Sequence, residues 1–202
     1  MPARTSPGQT RSALSSPSPG GSEKLTRAGC VVKIGSANVG TMEEGRSGQE
    51  RSGEVVEMVG RRRPDFCCLQ ETRRKGKGAE TFGRYKFLWT GCKEGTAGVG
   101  FLVEEKWVDK VLEVKQISER IMVLRVRVGK LVLCLVSVYA PQVGRSMEEF
   151  LTSLGEVLLA VDAKERLMVC GDMNGHVGTG KDGFEGVHGG YGYGARNTEG
   201  EM

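Results

Sequence analysis

Asn38, Glu71, Tyr139, Asp172 and Asn174 each close an apolar run: Val31–Ser36 leads to Asn38, Phe66–Leu69 to Glu71, Leu131–Val138 to Tyr139, and Leu167–Cys170 to Asp172 and Asn174. Together they supply what metal-assisted phosphate chemistry needs. Carboxylate oxygen suits a hard cation and can orient water, while amide and phenol groups can hydrogen-bond a charged phosphate. If the runs are strands, their ends can gather at one rim of a sheet, where α/β proteins place their sites. Taken singly, each has a plainer reading. Gly171-Asp172-Met173-Asn174-Gly175 is turn chemistry, Glu71 is a solvated strand end, and Tyr139 is a core-edge aromatic before Pro141 ends its strand. The functional reading rests on all four runs ending in the right chemistry, in one order.

The elements that must position these residues are legible in outline. Val55, Val56, Met58 and Val59 give a helical pattern before Arg61–Arg63, closed by Pro64, and Phe66–Leu69 reads as a short strand apolar on both faces. A small Arg-Ser-Gly repeat at 46–48 and 51–53 precedes that helix. Five strand candidates follow, Lys86–Trp89, Val99–Val103, Val111–Ile117, Ile121–Val128 and Leu131–Val138, separated by short turns as in an antiparallel meander. Ser146 and Glu149 form a capping box ahead of Phe150, Leu151, Leu154, Val157, Leu158 and Val161, and Leu167–Cys170 is the next strand. Two strand-helix-strand units result. Each crossover is expected to be right-handed with parallel strands, pairing Asn38 with Glu71 and Tyr139 with Asp172. A meander joining two such units implies two packed sheets with a helix on each outer face.

Composition sets the class. The 202 residues, 38% hydrophobic and 27% charged, suit one soluble domain. The net charge of +4 is uneven, because Arg4, Arg11, Lys24 and Arg27 against Glu23 place +3 in the first thirty residues. Any nucleic-acid contact must therefore come from local clusters. Six cysteines without a CxxC pair, four of them inside apolar runs, imply reduced thiols and an intracellular protein, nucleus versus cytoplasm being open. No run reaches the roughly 18 apolar residues of a membrane helix, so no membrane partner is expected. Residues 1–29, rich in Ser, Pro and Gly, are expected to form a disordered tail ahead of a domain at 30–202.

Ser36-Ala37-Asn38-Val39, Leu69-Gln70-Glu71-Thr72, Val138-Tyr139-Ala140-Pro141 and Gly171-Asp172-Met173-Asn174 resemble the ordered motifs of the endonuclease/exonuclease/phosphatase superfamily. That superfamily includes pancreatic deoxyribonuclease, exonuclease-III-type abasic endonucleases and LINE-type retrotransposon endonucleases. Residues 53–58, 106–111, 139–146 and 186–194 are similar to its craniofacial development protein 2-like, retrotransposon-derived branch. The resemblance implies an α/β (α+β) four-layer αββα sandwich of the deoxyribonuclease-I-like type. It implies Mg²⁺, with Mn²⁺ as the substitute, held by Glu71 with Asn38 beside it. It gives Asp172 the role of orienting and deprotonating the attacking water, and Asn174 and Tyr139 that of hydrogen-bonding the phosphate of a nucleic acid, DNA being expected.

The same resemblance implies further strands and a final Ser-Asp-His motif, absent from these 202 residues. The domain is accordingly expected to be the N-terminal two-thirds of the fold, incomplete at its C-terminus, with weak or no activity. Losing a general acid/base or oxyanion partner costs ~10²–10⁴ in rate. His176 and His188 read as loop histidines rather than replacements. Arg73, Arg74, Lys75 and Lys77 follow Glu71 and could contact phosphates, and Tyr191 and Tyr193 could stack on bases. Gly175–Asp182 nearly spells a phosphate-binding P-loop but fails, because Asp182 replaces the metal-binding Ser/Thr and no helical pattern follows. Open sheet edges could allow self-association. Two alternatives stay open: a non-enzymatic remnant or interaction protein, and a phosphoinositide or sphingolipid phosphodiesterase or phosphatase of the same superfamily.

Overall fold

The computed structural model describes residues 31–42, 51–142 and 145–201. The chain divides into two units, Met1–Val31 and Val32–Met202, and the fold described is that of the second. The expected tail at 1–29, the domain start at residue 30 and the Arg-Ser-Gly repeat at 46–48 lie outside the described residues.

Strand β1 (Ile34–Asn38) leads to helix α1 (Arg51–Gly60) and strand β2 (Phe66–Gln70). β1 and β2 are parallel, with Asn38 opposite Gln70. Next come β3 (Lys77–Phe82), β4 (Tyr85–Thr90) and β5 (Val99–Glu104), which complete a first sheet in the order β1-β2-β5-β4-β3. A short helix α2 (Glu105–Val108) carries the chain to the second sheet, β6 (Val111–Ser118), β7 (Ile121–Val128), β8 (Leu131–Tyr139) and, after helix α3 (Arg145–Leu159), β9 (Arg166–Asp172). β8 and β9 are parallel, with Tyr139 opposite Asp172. Both strand-helix-strand units are thus present. The expected meander is not continuous, because α2 breaks it and divides its five strands between two sheets. β3 had no apolar alternation to announce it. It is an edge strand of sequence KGAETF whose side chains alternate between exposed and half-buried.

The side-chain period of a strand explains the layers. In β8, Leu133, Leu135 and Tyr139 face the first sheet and pack with Phe66, Cys68, Phe101, Met122 and Leu124, while Cys134, Val136 and Val138 face outward beneath Met147, Phe150 and Leu154 of α3. On the other side, Val55, Val56 and Val59 of α1 cover Cys67, Leu69, Tyr85, Phe87 and Leu102. Met58 points away from this face and is exposed, contrary to its place in the helical pattern. The order is helix, sheet, sheet, helix. Each buried Leu or Phe contributes about 1.5–3 kcal/mol, so strands buried on both faces hold the sandwich together. α3 begins at Arg145, which places Ser146 in its first turn. After Asp172 the described chain has no further strand and one short helix, α4 (Thr198–Glu201). No helix among the described residues is long and apolar enough to cross a membrane.

Candidate functional site

β1 and β9 are edge strands of different sheets, and their C-terminal ends meet. Asn38 Nδ2 donates to Asp172 Oδ2 at 3.0 Å, joining residues 134 apart in sequence. Asp172 Oδ1 accepts the backbone N–H of Asn174 at 2.9 Å, so both carboxylate oxygens are held. Asn38 is itself oriented, its Oδ1 accepting the Gly40 N–H at 3.1 Å. Gly171 makes this possible. A Cβ there would lie 2.0 Å from the Val138 carbonyl oxygen, so only glycine lets β9 lie this close to β8 just before Asp172. An open cleft of about 640 Å³ lies over the junction, lined by Ser36, Asn38, Gln70, Asp172, Asn174 and His176 among others.

Gln70 forms a polar floor. It is buried, accepts from Ser36 Oγ at 3.2 Å, and donates to Ser137 Oγ at 3.3 Å, which in turn donates to the Leu69 carbonyl at 3.2 Å. A satisfied chain of this kind crosses the inter-sheet space without orphaned groups. Glu71, the next residue, has left-handed backbone, φ 58°. For a side chain with a Cβ that conformation costs on the order of 1–2 kcal/mol. Arg73 (φ 53°) and Asn174 (φ 50°) share it, so the non-glycine outliers gather at this rim, with Arg63 the other one described. Such clustering is characteristic of functional sites. The turn at Glu71 is tied down at Thr72, whose N–H donates to Gly98 O at 3.1 Å and whose carbonyl accepts from Met42 N at 2.7 Å.

Tyr139 is buried, and its phenol lies above its ordinary pKa of 10.0. Desolvation is the main cause, followed by the Glu71 carboxylate; Arg120 opposes, Asp172 adds to the rise, and Arg73 opposes. The phenol therefore stays protonated as a donor. Glu71 and Tyr139 lie beside the cleft rather than in its lining.

Other expected residues take definite places. Arg73 donates to Glu71 Oε1 at 2.5 Å. Arg74 donates to Glu80 at 2.6 Å and lies 4.6 Å over the Trp89 ring, so its charge is already engaged. Lys75 is exposed beside them and Lys77 begins β3. Asn174 commits one amide hydrogen to the Ala140 carbonyl at 2.6 Å. Tyr191 and Tyr193, 85% and 94% exposed, lie in the irregular segment after β9 and do not line the cleft. His176 does line it. Its backbone is clamped by Asn197, whose side chain accepts the His176 N–H at 2.9 Å and whose own N–H donates to the His176 carbonyl at 3.0 Å. Arg120 was also not anticipated. From the β6–β7 turn its guanidinium reaches the carbonyls of Tyr139 and Ala140 at 3.2 and 3.3 Å and lies 5.3 Å from the Tyr139 ring centroid. Nothing in the local sequence distinguishes it from a solvated turn arginine.

Among the described residues no three acids, histidines or cysteines are gathered into a metal cage. The donor set nevertheless suits a partly hydrated Mg²⁺, which needs only one or two carboxylates plus water. Glu71 offers a half-buried carboxylate with one oxygen toward Arg73, and Asn38 and Asp172 stand at the facing strand ends.

No family model and no curated protein matches the chain. Solved structures do. The AP endonuclease LMAP from Leishmania major aligns at 15% identity and TM-score 0.52, over 71% of this chain and 55% of that one. The endonuclease domain of TRAS1, a telomere-specific non-LTR retrotransposon, aligns at 18% identity and TM-score 0.50, over 71% and 60%. The Xenopus laevis APE2 catalytic domain aligns at 14% identity and TM-score 0.50, over 71% and 58%. At these identities the likeness is one of fold, and the chain spans little more than half of each relative. What the two packed sheets and these likenesses establish is the fold, a two-sheet αββα sandwich shared with these structures.

Proposed function

We propose that this chain carries the Mg²⁺-dependent phosphodiesterase site of a nucleic-acid endonuclease of retrotransposon-derived, craniofacial development protein 2-like type. The observation that carries the reading is the Asn38–Asp172 hydrogen bond across the two sheets, with Tyr139 opposite Asp172 and Gln70, the residue before Glu71, opposite Asn38. Nucleic acid, with DNA expected, is the favoured substrate because of the branch resemblance, and the likenesses of fold include an AP endonuclease and the endonuclease domain of a retrotransposon.

In this reading the cleft receives the scissile phosphate. Asp172 is fixed by Asn38 and by the Asn174 N–H, so that its carboxylate can take a proton from water. Tyr139, kept protonated, donates to a phosphate oxygen as charge builds there. Asn174 has a second amide hydrogen for the same task, and Arg120 braces Tyr139 through its backbone carbonyl and ring. Glu71 with Asn38 would hold the metal, which when bound supplies neutralisation of the phosphate and leaving-group charge.

Relaxation of supercoiled plasmid in Mg²⁺ or Mn²⁺ tests the activity. Nicking that disappears on chelation and in Asp172→Asn supports the reading. Calorimetry provides a second readout, because Mg²⁺ affinity should fall in Glu71→Gln; unchanged affinity removes Glu71 as the ligand. Hydrolysis of phosphoinositide or sphingomyelin in place of DNA would move the substrate class to lipids. A folded chain that binds no Mg²⁺ and cleaves neither substrate is a non-enzymatic interaction protein.

A further inference from the structure

Arg120 does not line the cleft, yet the peptide it holds joins three residues given roles there. It sits in the short turn between β6 and β7, half-buried beside the end of β8, with its own N–H donating to Ser118 Oγ at 3.2 Å. Its contact with Tyr139 is mutual. The Tyr139 N–H donates to the Arg120 carbonyl at 2.9 Å, while Arg120 Nη1 donates to the carbonyls of Tyr139 and Ala140 at 3.2 and 3.3 Å. The guanidinium also lies 5.3 Å from the Tyr139 ring centroid. Ala140 is fully buried, and its peptide is completely engaged. Its N–H donates to the Asp172 carbonyl at 2.8 Å, and its own carbonyl oxygen, with two lone pairs to offer, receives both Asn174 Nδ2 at 2.6 Å and Arg120. One peptide therefore links Arg120, Tyr139, Asp172 and Asn174.

We propose that Arg120 is a positioning residue for the reaction described above: by holding the Tyr139–Ala140 peptide it fixes Tyr139 and Asn174, the two phosphate-binding groups, in one relative orientation. The proposal rests on that reading for its chemistry, but the geometry it asserts can be measured without turnover. Arginine suits the task. Its planar guanidinium sends hydrogens in fixed directions to two carbonyls while it lies against a ring, whereas a lysine keeps the charge on a compact ammonium without the fork. Removing the side chain leaves the Tyr139 and Ala140 carbonyls short of a donor and frees the acceptor that Asn174 depends on. The charge has a separate effect. Burial is the largest influence on the Tyr139 phenol and raises its pKa; Glu71 and Asp172 raise it further, and Arg120 and Arg73 lower it. Loss of the Arg120 charge therefore moves the phenol upward, and loss of the fork alone moves Asn174.

The test compares the whole 202-residue chain with Arg120→Met and Arg120→Lys. NMR of tyrosine labelled at Cζ and of the asparagine side-chain amides, assigned with Tyr139→Phe and Asn174→Ala, reads the geometry directly. In Arg120→Met, Tyr139 should titrate at higher pH than in the wild type and the Asn174 amide resonance should move. In Arg120→Lys the phenol should stay nearer its wild-type titration while the Asn174 resonance still moves. Single-turnover nicking adds the chemistry: Arg120→Met should be slower by at least about tenfold, with the half-saturating DNA concentration little changed. In a Tyr139→Phe/Asn174→Ala background the same substitution should cost less than about twofold, because nothing is left to position. A folded Arg120→Met with unmoved Tyr139 titration and Asn174 resonance overturns the proposal, whether or not the chain cleaves DNA. If Arg120→Met does not fold, an unmoved Asn174 resonance in Arg120→Lys is the overturning result. Equal slowing in the wild-type and doubly substituted backgrounds also overturns it, since Arg120 would then act on the substrate itself. The expected NMR changes in a chain that cleaves no DNA would overturn the proposed reaction and Arg120's role in it, leaving only the contacts.

Discussion

The cross-sheet contact between Asn38 and Asp172 makes the most exacting prediction, because one hydrogen bond is asked to connect architecture with chemistry. Asp172→Asn replaces an acceptor-only carboxylate with an amide. Its two oxygens now receive the Asn38 Nδ2 and Asn174 N donors at 3.0 and 2.9 Å, so an amide NH₂ must face one of them. Hydrogen bonds to a charged group are worth ~1.5–3 kcal/mol when buried. Asn38 is exposed and Asp172 half-buried, so screening lowers the expected stability cost to about 1 kcal/mol. Removing a general base is worth ~10²–10⁴ in rate. Asn38→Ala leaves the carboxylate but frees its orientation and should slow nicking by about tenfold to a hundredfold. The decisive variant is the double one. If Asn38 acts on the base through this bond, the double variant is no slower than Asp172→Asn alone, and urea unfolding gives a coupling of about 0.5–1 kcal/mol. Single-turnover nicking and denaturation read the two quantities separately. Fully multiplicative rate losses, together with a stability coupling near zero, would refute the claim that the two strand ends work as a unit.

Three further outcomes are expected. Asp65 is buried at the far end of β2, and although burial alone raises its pKa, the Lys106 ammonium, the Lys33 N–H and the Trp107 Nε1–H together hold it below the ordinary 3.8. A lowered folded-state pKa contributes stability that is present above 3.8 and is lost as pH falls through the folded value. Asp65→Asn should therefore cost about 2 kcal/mol at neutral pH and progressively less in acid, a narrowing that urea titrations at several pH values would show. Gly98 has φ +141°, and a Cβ there would lie 2.4 Å from the buried Thr72 Oγ1 behind Glu71; Gly98→Ala should destabilise by about 2 kcal/mol, and a change in urea midpoint equivalent to under ~0.5 kcal/mol would contradict the close approach. Burial pushes the Cys67 thiol up to about 12, helped by Cys170, whereas at Cys92 burial is outweighed by the Thr96 hydroxyl and the Thr96, Ala97 and Gly95 N–H groups, which lower its pKa. Mass-spectrometric mapping of a mild alkylation at neutral pH should find Cys92 modified well before Cys67.

Much of the fold was readable because its signals are local. Apolar runs bounded by polar residues marked β2, β4, β5, β7 and β8, and a 3.6-residue pattern marked both long helices. The crossover rule then made each unit's strands parallel and set Tyr139 opposite Asp172, as the register bears out, whereas Asn38 falls opposite Gln70, one residue short of the expected Glu71. β3 escaped because an edge strand with half-exposed faces needs no apolar alternation. The break between β5 and β6 escaped because α2 is a single turn, too short to show a period.

The site divides the same way. The residue types and their order along the chain named Asn38, Glu71, Tyr139, Asp172 and Asn174 as candidates, since a strand end followed by a turn is a local pattern. That Asn38 and Asp172 hydrogen-bond was decided by the face-to-face packing of two sheets, whose contacts lie 134 residues apart in sequence and carry no periodicity. Packing also committed Arg74 to Glu80 and Trp89, set Arg120 against Tyr139, and brought His176 into the cleft lining. A charged side chain has the same identity whether it is solvated, paired or stacked, and only the positions of its neighbours in three dimensions choose among these. The chain alone therefore determined which groups could do the chemistry, and tertiary structure determined which of them are held together and which are already engaged elsewhere.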